Sequence, residues 1–159
     1  MIKNVTPDTI HEFSSILIAA SRWLKENNKE MWRYDELTVY ALLNKNDMSE
    51  MFIGCLNNEA VATIIVQQND PVFWPEKTNN NALYIHKFAV KRACAGRGIS
   101  RDMIHWVKNE AERQNKKYIR LDCASDRESL CRFYEKQGFK HIEDRQVDDF
   151  HVSLYEYKI

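Results

Sequence analysis

The sequence predicts one mixed α/β domain over residues 1–159, antiparallel in its first half and with a parallel strand pair in its second. Three observations carry this. Apolar β-type runs and helical-period segments follow one another in the order β-α-α-β-β-β-α-β-α-β-β. The runs at 51–56 and 60–68 are parted only by Asn57-Asn58-Glu59, a hairpin signal. Strand 82–90, helix 98–115 and strand 117–123 together have the length of a right-handed crossover between parallel strands.

Each element has its reason. Residues 1–6 read as a short strand. Thr6-Pro7-Asp8 reads as a helix start, with Thr6 as N-cap and Pro7 at the first helical position. Ile10, Phe13, Leu17, Ala20 and Leu24 then mark one helical face. Residues 34–45 predict a second, shorter helix. Residues 69–81 hold Pro71 and Pro75 and read as a loop. Ile99, Met103, Trp106, Val107 and Ala111 restore the helical period, and 117–125 is a strand. Leu130, Phe133 and Tyr134 share one side of a helix at 128–137, with Gly138 as its left-handed cap. Strands at 139–147 and 149–157 close the chain.

The length, 159 residues, suits one domain. Twenty-three cationic and 23 acidic residues cancel, which argues against a general affinity for nucleic acid or anionic membrane. The four cysteines, Cys55, Cys94, Cys123 and Cys131, form no CxxC pair and read as reduced thiols of a cytoplasmic protein. No segment has the make-up of a signal peptide or a membrane span. No HxH or HExxH spacing occurs among the histidines, so no metal is expected.

One turn stands out. Two of the four glycines, Gly96 and Gly98, lie in it, and Lys87 to Arg101 carries five cations and no acid. The first N–H groups of a helix lack internal partners and, with the helix dipole, favour an anion. Lys91, Arg92, Arg97 and Arg101 are disfavoured beside a helix N-terminus unless a polyanion sits there. Two readings fit the local physics: a phosphate-binding turn, or a solvated basic turn whose glycines serve geometry alone. A P-loop is excluded by the absence of GxxxxGK[ST], and the dinucleotide fingerprint lacks its third glycine.

The stretch "AVKRACAGRGISRDMIHW" resembles the acyl-CoA pyrophosphate loop of the GNAT superfamily of N-acetyltransferases. Gly98 matches its central glycine, with Val90 ending the preceding strand. Ala95 stands where the family has Gln or Arg, and Ser100 where it has Gly or Ala. A second block, "CRFYEKQGF" at 131–139, resembles the family's second CoA-side helix, although Arg127 replaces its usual Asn. The "WLKENNKEMW" stretch is similar to one in some unassigned bacterial members. The resemblance implies a mixed, mostly antiparallel twisted sheet of about six or seven strands flanked by about four helices, with a splayed parallel pair. It further implies acetyl-CoA as co-substrate, contacted by Phe88, Ala89, Val90, Ala95, Gly96, Arg97, Gly98, Ile99, Ser100, Arg101 and Arg127.

Acetyl transfer from a thioester to an amine needs a base for the amine, donors for the carbonyl oxygen and help for the departing thiolate. An unperturbed His, pKa near ~6.5, suits proton removal near neutrality. His86 matches a strand histidine of related aralkylamine acetyltransferases and is the candidate base, with Tyr84 in place of the farther one. Asp122 and Asp126 are rivals, and a packed histidine is the bland alternative. Strand alternation would set Tyr84, His86 and Phe88 on one face. Tyr134 matches the tyrosine that donates to the CoA sulfur, and core packing is its alternative. Backbone N–H groups near Phe88–Val90 would hold the carbonyl oxygen.

The acceptor is expected to be a primary amine: a small molecule, a peptide N-terminus or a lysine. Trp23, Trp32, Tyr34, Phe73 and Trp74, with Asp35, Glu36, Asp70 and Glu76, would suit a cation if they form a wall. The competing functional readings are a non-catalytic acyl-CoA sensor and an enzyme using a bulkier donor such as succinyl-CoA. A monomer or a homodimer is expected.

Overall fold

A computed structural model describes residues 1–159. The chain runs β1 (Ile2–Asn4), α1 (Ile10–Glu26), α2 (Val39–Lys45), β2 (Met51–Leu56), β3 (Glu59–Gln67), β4 (Ala82–Val90), α3 (Ile99–Arg113), β5 (Tyr118–Ala124), α4 (Glu128–Lys136), β6 (Lys140–Val147) and β7 (Phe150–Lys158). The strands form a seven-stranded sheet in the order β1-β2-β3-β4-β5-β7-β6. β4 and β5 pair in parallel, as the crossover length predicted. The β1–β2, β2–β3, β5–β7 and β6–β7 pairs are antiparallel.

Two helix starts differ from the sequence reading. α1 begins at Ile10, not at Pro7, because Thr6 closes a turn ahead of it. The Thr6 carbonyl accepts from the N–H groups of Thr9 and Ile10 at 3.0 Å each, and its own N–H donates to Thr9 Oγ1 at 2.9 Å. Residues 34–45 do not form one helix. Tyr34–Glu36 is a separate 3-10 turn, and Thr38, extended at φ −64° and ψ 154°, caps α2 by accepting from Ala41 N–H at 3.2 Å. A threonine hydroxyl that competes for backbone N–H groups starts a helix more readily than it continues one.

The chain divides into two compact units. One comprises Met1–Ile65 and Lys87–Met103; the other comprises Val66–His86 and Ile104–Ile159. In the first, the apolar face of α1 packs Phe13, Ile16 and Leu17 with Leu37, Leu42, Met51 and Ile65. Buried Ser14 satisfies its hydroxyl on the Leu37 carbonyl at 2.6 Å. Lys87 has φ +47°, a left-handed conformation within β4. Such a residue costs roughly 1–2 kcal/mol and breaks the two-residue alternation. Thr63 Oγ1 secures the kink by donating to the Lys87 carbonyl at 2.9 Å.

In the second unit, Trp74, Tyr84, Val152 and Leu154 form a core with Phe73 and Tyr118 against it. Arg120 lies inside, 3% exposed. Its Nε donates to Glu156 at 2.7 Å and its Nη1 to the Tyr84 hydroxyl at 2.9 Å. Its guanidinium lies 4.7 Å from the Tyr118 ring centroid and 5.4 Å from that of Trp74. A buried cation needs this combination of a carboxylate and further partners. The β4–β5 register runs from Ala82–Tyr118 to Ile85–Leu121, while both strands continue further.

Candidate active site

In the first unit, β4 leads through a 3-10 turn at Arg92–Cys94 into the glycine turn and α3. Gly96 and Gly98 have φ +77° and +80°, which L side chains rarely adopt. A Cβ built on Gly96 would meet nothing within 4 Å, so the backbone there lies open. Asp102 N–H donates to the Gly98 carbonyl at 3.0 Å as α3 begins. The N–H groups of Ile99, Ser100 and Arg101 precede that bond, the position at which helix N–H groups have no internal acceptor. Ala95, Gly96 and Arg97 are exposed, and Gly98, Ile99 and Ser100 half-exposed. Phe88, Ala89 and Val90 are half-exposed as well.

The cations of this stretch are not alike. Arg92 stacks on Trp23, 3.9 Å from the ring centroid, and Lys87 lies 5.6 Å from that of Trp32. Those two tryptophans thus hold cations of their own unit. Arg101 pairs with Asp102 at 3.3 Å, an acid just beyond the run that looked acid-free. Arg97 and Lys91 are exposed.

The second unit holds the candidate acid–base groups. His86, its side chain 20% exposed, sets Nε2 3.4 Å from Asp70 Oδ2. Asp70 is 4% exposed. Its Oδ1 accepts from the N–H groups of Val72 at 3.1 Å and Phe73 at 3.0 Å. Asp122 on β5 completes a group whose three ligand-type atoms lie within 4.8 Å of one another, an arrangement that can take up a proton or approach a cation. The second rival base, Asp126, is exposed on the turn before α4. The face shared by Tyr84, His86 and Phe88 does not survive as a pattern. Ala82 to Ile85 are all buried and His86 to Val90 all half-exposed, and the left-handed Lys87 lies between His86 and Phe88.

Tyr134 on α4 is 5% exposed. Its ring meets Phe133, Phe139 and Tyr155 at centroid distances of 5.3, 5.8 and 6.3 Å. Burial, followed by the neighbouring Cys123 and Asp122, pushes its phenol well above the ordinary value. The hydroxyl therefore stays protonated. Arg127 occupies the N-cap of α4 and works in the opposite sense on the same phenol. Gly138 follows α4 with φ +91°, the left-handed cap that the sequence indicated.

Other members of the expected acceptor wall have different employment. Trp74 is 1% exposed and belongs to the core. Glu76 pairs with Arg145 at 3.0 Å, and Glu36 accepts from the Arg33 N–H. Tyr84, which is not of that set, accepts at its hydroxyl from Arg120. Asp70 is the acid of that set that faces His86. Sequence reading missed this pair and the Arg120 network; the Asp-Pro turn start at Asp70-Pro71 was the available hint.

Comparison with known proteins agrees with this architecture. The family model described as acetyltransferase (GNAT) family matches residues 16–139. The uncharacterized N-acetyltransferase YesJ of Bacillus subtilis (strain 168) is 22% identical over 135 residues, covering 81% of this chain and 75% of that protein. A solved acetyltransferase of the GNAT family from Listeria monocytogenes 4b F2365 has the same fold, with TM-score 0.77 and 19% identity, covering 100% of this chain and 94% of that one. So does aminoglycoside acetyltransferase AAC(6')-Ib in complex with coenzyme A, with TM-score 0.75 and 14% identity, covering 99% and 94%. The chain is an acyltransferase and belongs to the GNAT acetyltransferase family.

Proposed function

We propose that residues 1–159 act as one acetyltransferase domain that moves the acetyl group of acetyl-CoA to a primary amine, by direct attack with both substrates bound. The observation that carries the donor is the Gly96–Gly98 turn at the start of α3, with both glycines left-handed and the backbone at Gly96 open. Such a turn fits a pyrophosphate, and Arg97 and Lys91 supply exposed positive charge. Ala95 offers only its backbone, and Ser100 is small enough for close approach of the helix.

His86 takes a proton from the incoming ammonium, directly or through a water. The free amine then forms a C–N bond to the thioester carbonyl carbon. Backbone donors near Phe88–Val90 meet the oxygen as it gains charge. Collapse breaks the C–S bond, and the second proton of the amide nitrogen passes by way of solvent to the departing thiolate, while the proton taken by His86 is released. Tyr134 donates a hydrogen bond to the departing sulfur. Since burial makes its phenol a weaker acid, it stabilises the thiolate rather than surrendering its proton. The products are an amide, CoA thiol and one released proton.

The acceptor is a primary amine; aminoglycosides, for which AAC(6')-Ib is named, belong in the screen beside aralkylamines, amino acids and peptides. A thiol-release assay with acetyl-CoA and this panel is the test. Turnover that needs both donor and amine is expected. Tight acetyl-CoA binding without turnover on any amine would instead make the chain an acyl-CoA-binding protein.

A further inference from the structure

We propose that Asp70 is a positioning residue for His86, fixing its tautomer and supporting the imidazolium that forms when it takes a proton. The proposal rests on the reading of His86 as the base and deepens it.

Asp70 is anchored from several sides. Its Oδ1 accepts from two consecutive N–H groups, those of Val72 and Phe73. Its carbonyl accepts from Trp74 N–H at 3.0 Å. Trp74 is 1% exposed in the core of the second unit, so the loop has little freedom around this carboxylate. The other oxygen, Oδ2, is buried and makes no hydrogen bond, while His86 Nε2 lies 3.4 Å away. A buried carboxylate oxygen without a donor is costly. The group facing it is an imidazole nitrogen, and a shift of a few tenths of an ångström makes a hydrogen bond of ordinary length.

The chemistry follows from the direction of that contact. A neutral His86 donating from Nε2 to Asp70 carries its basic lone pair on Nδ1. When Nδ1 takes a proton, the cation lies against a fixed anion, and an opposite charge at this range favours the charged form. Asp122, on β5, is the other charged group in the cluster and acts in the same direction. His86 lies sixteen positions after Asp70, so the pairing is a product of the fold.

The test is an NMR titration of the His86 ring in the full-length protein with EDTA present, for wild type, Asp70→Asn and Asp122→Asn, with His86→Gln to assign the resonance. Asn keeps an oxygen for the Val72 and Phe73 N–H groups and removes the charge. The Asp70→Asn midpoint is expected to fall by about one pH unit, more than in Asp122→Asn. An unchanged midpoint in folded Asp70→Asn overturns the proposal. Should that variant not fold, ring nitrogen shifts of wild type decide: Nε2–H at high pH supports the pairing, and Nδ1–H overturns it.

Kinetics separate this proposal from its premise. With the best amine from the screen, Asp70→Asn is expected to move the acid limb of kcat/KM to lower pH and to lower its plateau about tenfold. His86→Gln should abolish the limb. Full activity with an intact limb in His86→Gln would refute His86 as base. Loss of the limb there, with Asp70→Asn unchanged from wild type, would refute the role of Asp70 alone.

Discussion

Gly98→Glu isolates what the glycine turn contributes. Gly98 sits at φ +80°, and a Cβ there would lie 3.0 Å from Arg101 Nη2. That neighbour is the end of a flexible, exposed side chain and can move aside. The left-handed backbone costs a non-glycine roughly 1–2 kcal/mol, which a domain of this size survives. The carboxylate acts differently. Against a pyrophosphate about 5 Å away, with an effective dielectric of about 40, each pair of like charges costs about 1.7 kcal/mol. Two phosphate charges give about 3 kcal/mol, or roughly 100–200-fold in affinity. The new carboxylate would also engage Arg101, removing a cation from the ligand. Gly98→Ala carries the backbone strain without the charge and should lose less than about tenfold. Calorimetric titration with acetyl-CoA, alongside thermal melts of all three proteins, measures both parts. Wild-type affinity in folded Gly98→Glu would refute the assignment of this turn to the donor's phosphates.

Three other expectations follow from particular contacts. Tyr134→Phe keeps the aromatic packing and removes the hydroxyl, so kcat should fall about 10–100-fold with acetyl-CoA affinity within about threefold; an unchanged kcat would remove Tyr134 from the chemistry. Arg120→Met strands Glu156 and the Tyr84 hydroxyl, and urea unfolding should show a loss of about 3 kcal/mol, whereas a neutral result would mean that Arg120 is dispensable packing. Burial, with Cys131 Sγ 3.6 Å away, pushes the Cys123 thiol far above its ordinary value. At pH 8 iodoacetamide should therefore modify half-exposed Cys55 well before Cys123, as read by peptide mass mapping; early modification of Cys123 would contradict its burial.

How much of this was legible follows from what each feature depends on. The crossover, the glycine turn and the Gly138 cap depend on local period and on residues with few conformational alternatives, and β4 spans the predicted 82–90. The start of α1 was misplaced because Thr6 and Thr9 both suit a helix start, and a local turn, in which the Thr6 carbonyl takes the Thr9 and Ile10 N–H groups, delays the helix to Ile10. The left-handed Lys87 has no sequence mark, since lysine is an ordinary strand-end residue, so alternation was extended past the point where it holds. Nothing in the sequence marked Arg120 for burial. Its burial depends on Glu156, Tyr84 and Tyr118, which come from three strands. Of the candidate site, Gly96, Gly98, His86 and Tyr134 were identified through motif and resemblance. Asp70 was noted only as one acid in a loop, because its meeting with His86 exists only once the loop folds over Trp74.

The most direct measurement is calorimetric titration of the wild-type protein with acetyl-CoA, with CoA and succinyl-CoA for comparison. One site of micromolar affinity is expected, on the order of −8 kcal/mol, with acetyl-CoA preferred over succinyl-CoA. Absence of binding would contradict it, since a turn with Ala95 and Ser100 at two family positions would then have kept its shape without its ligand.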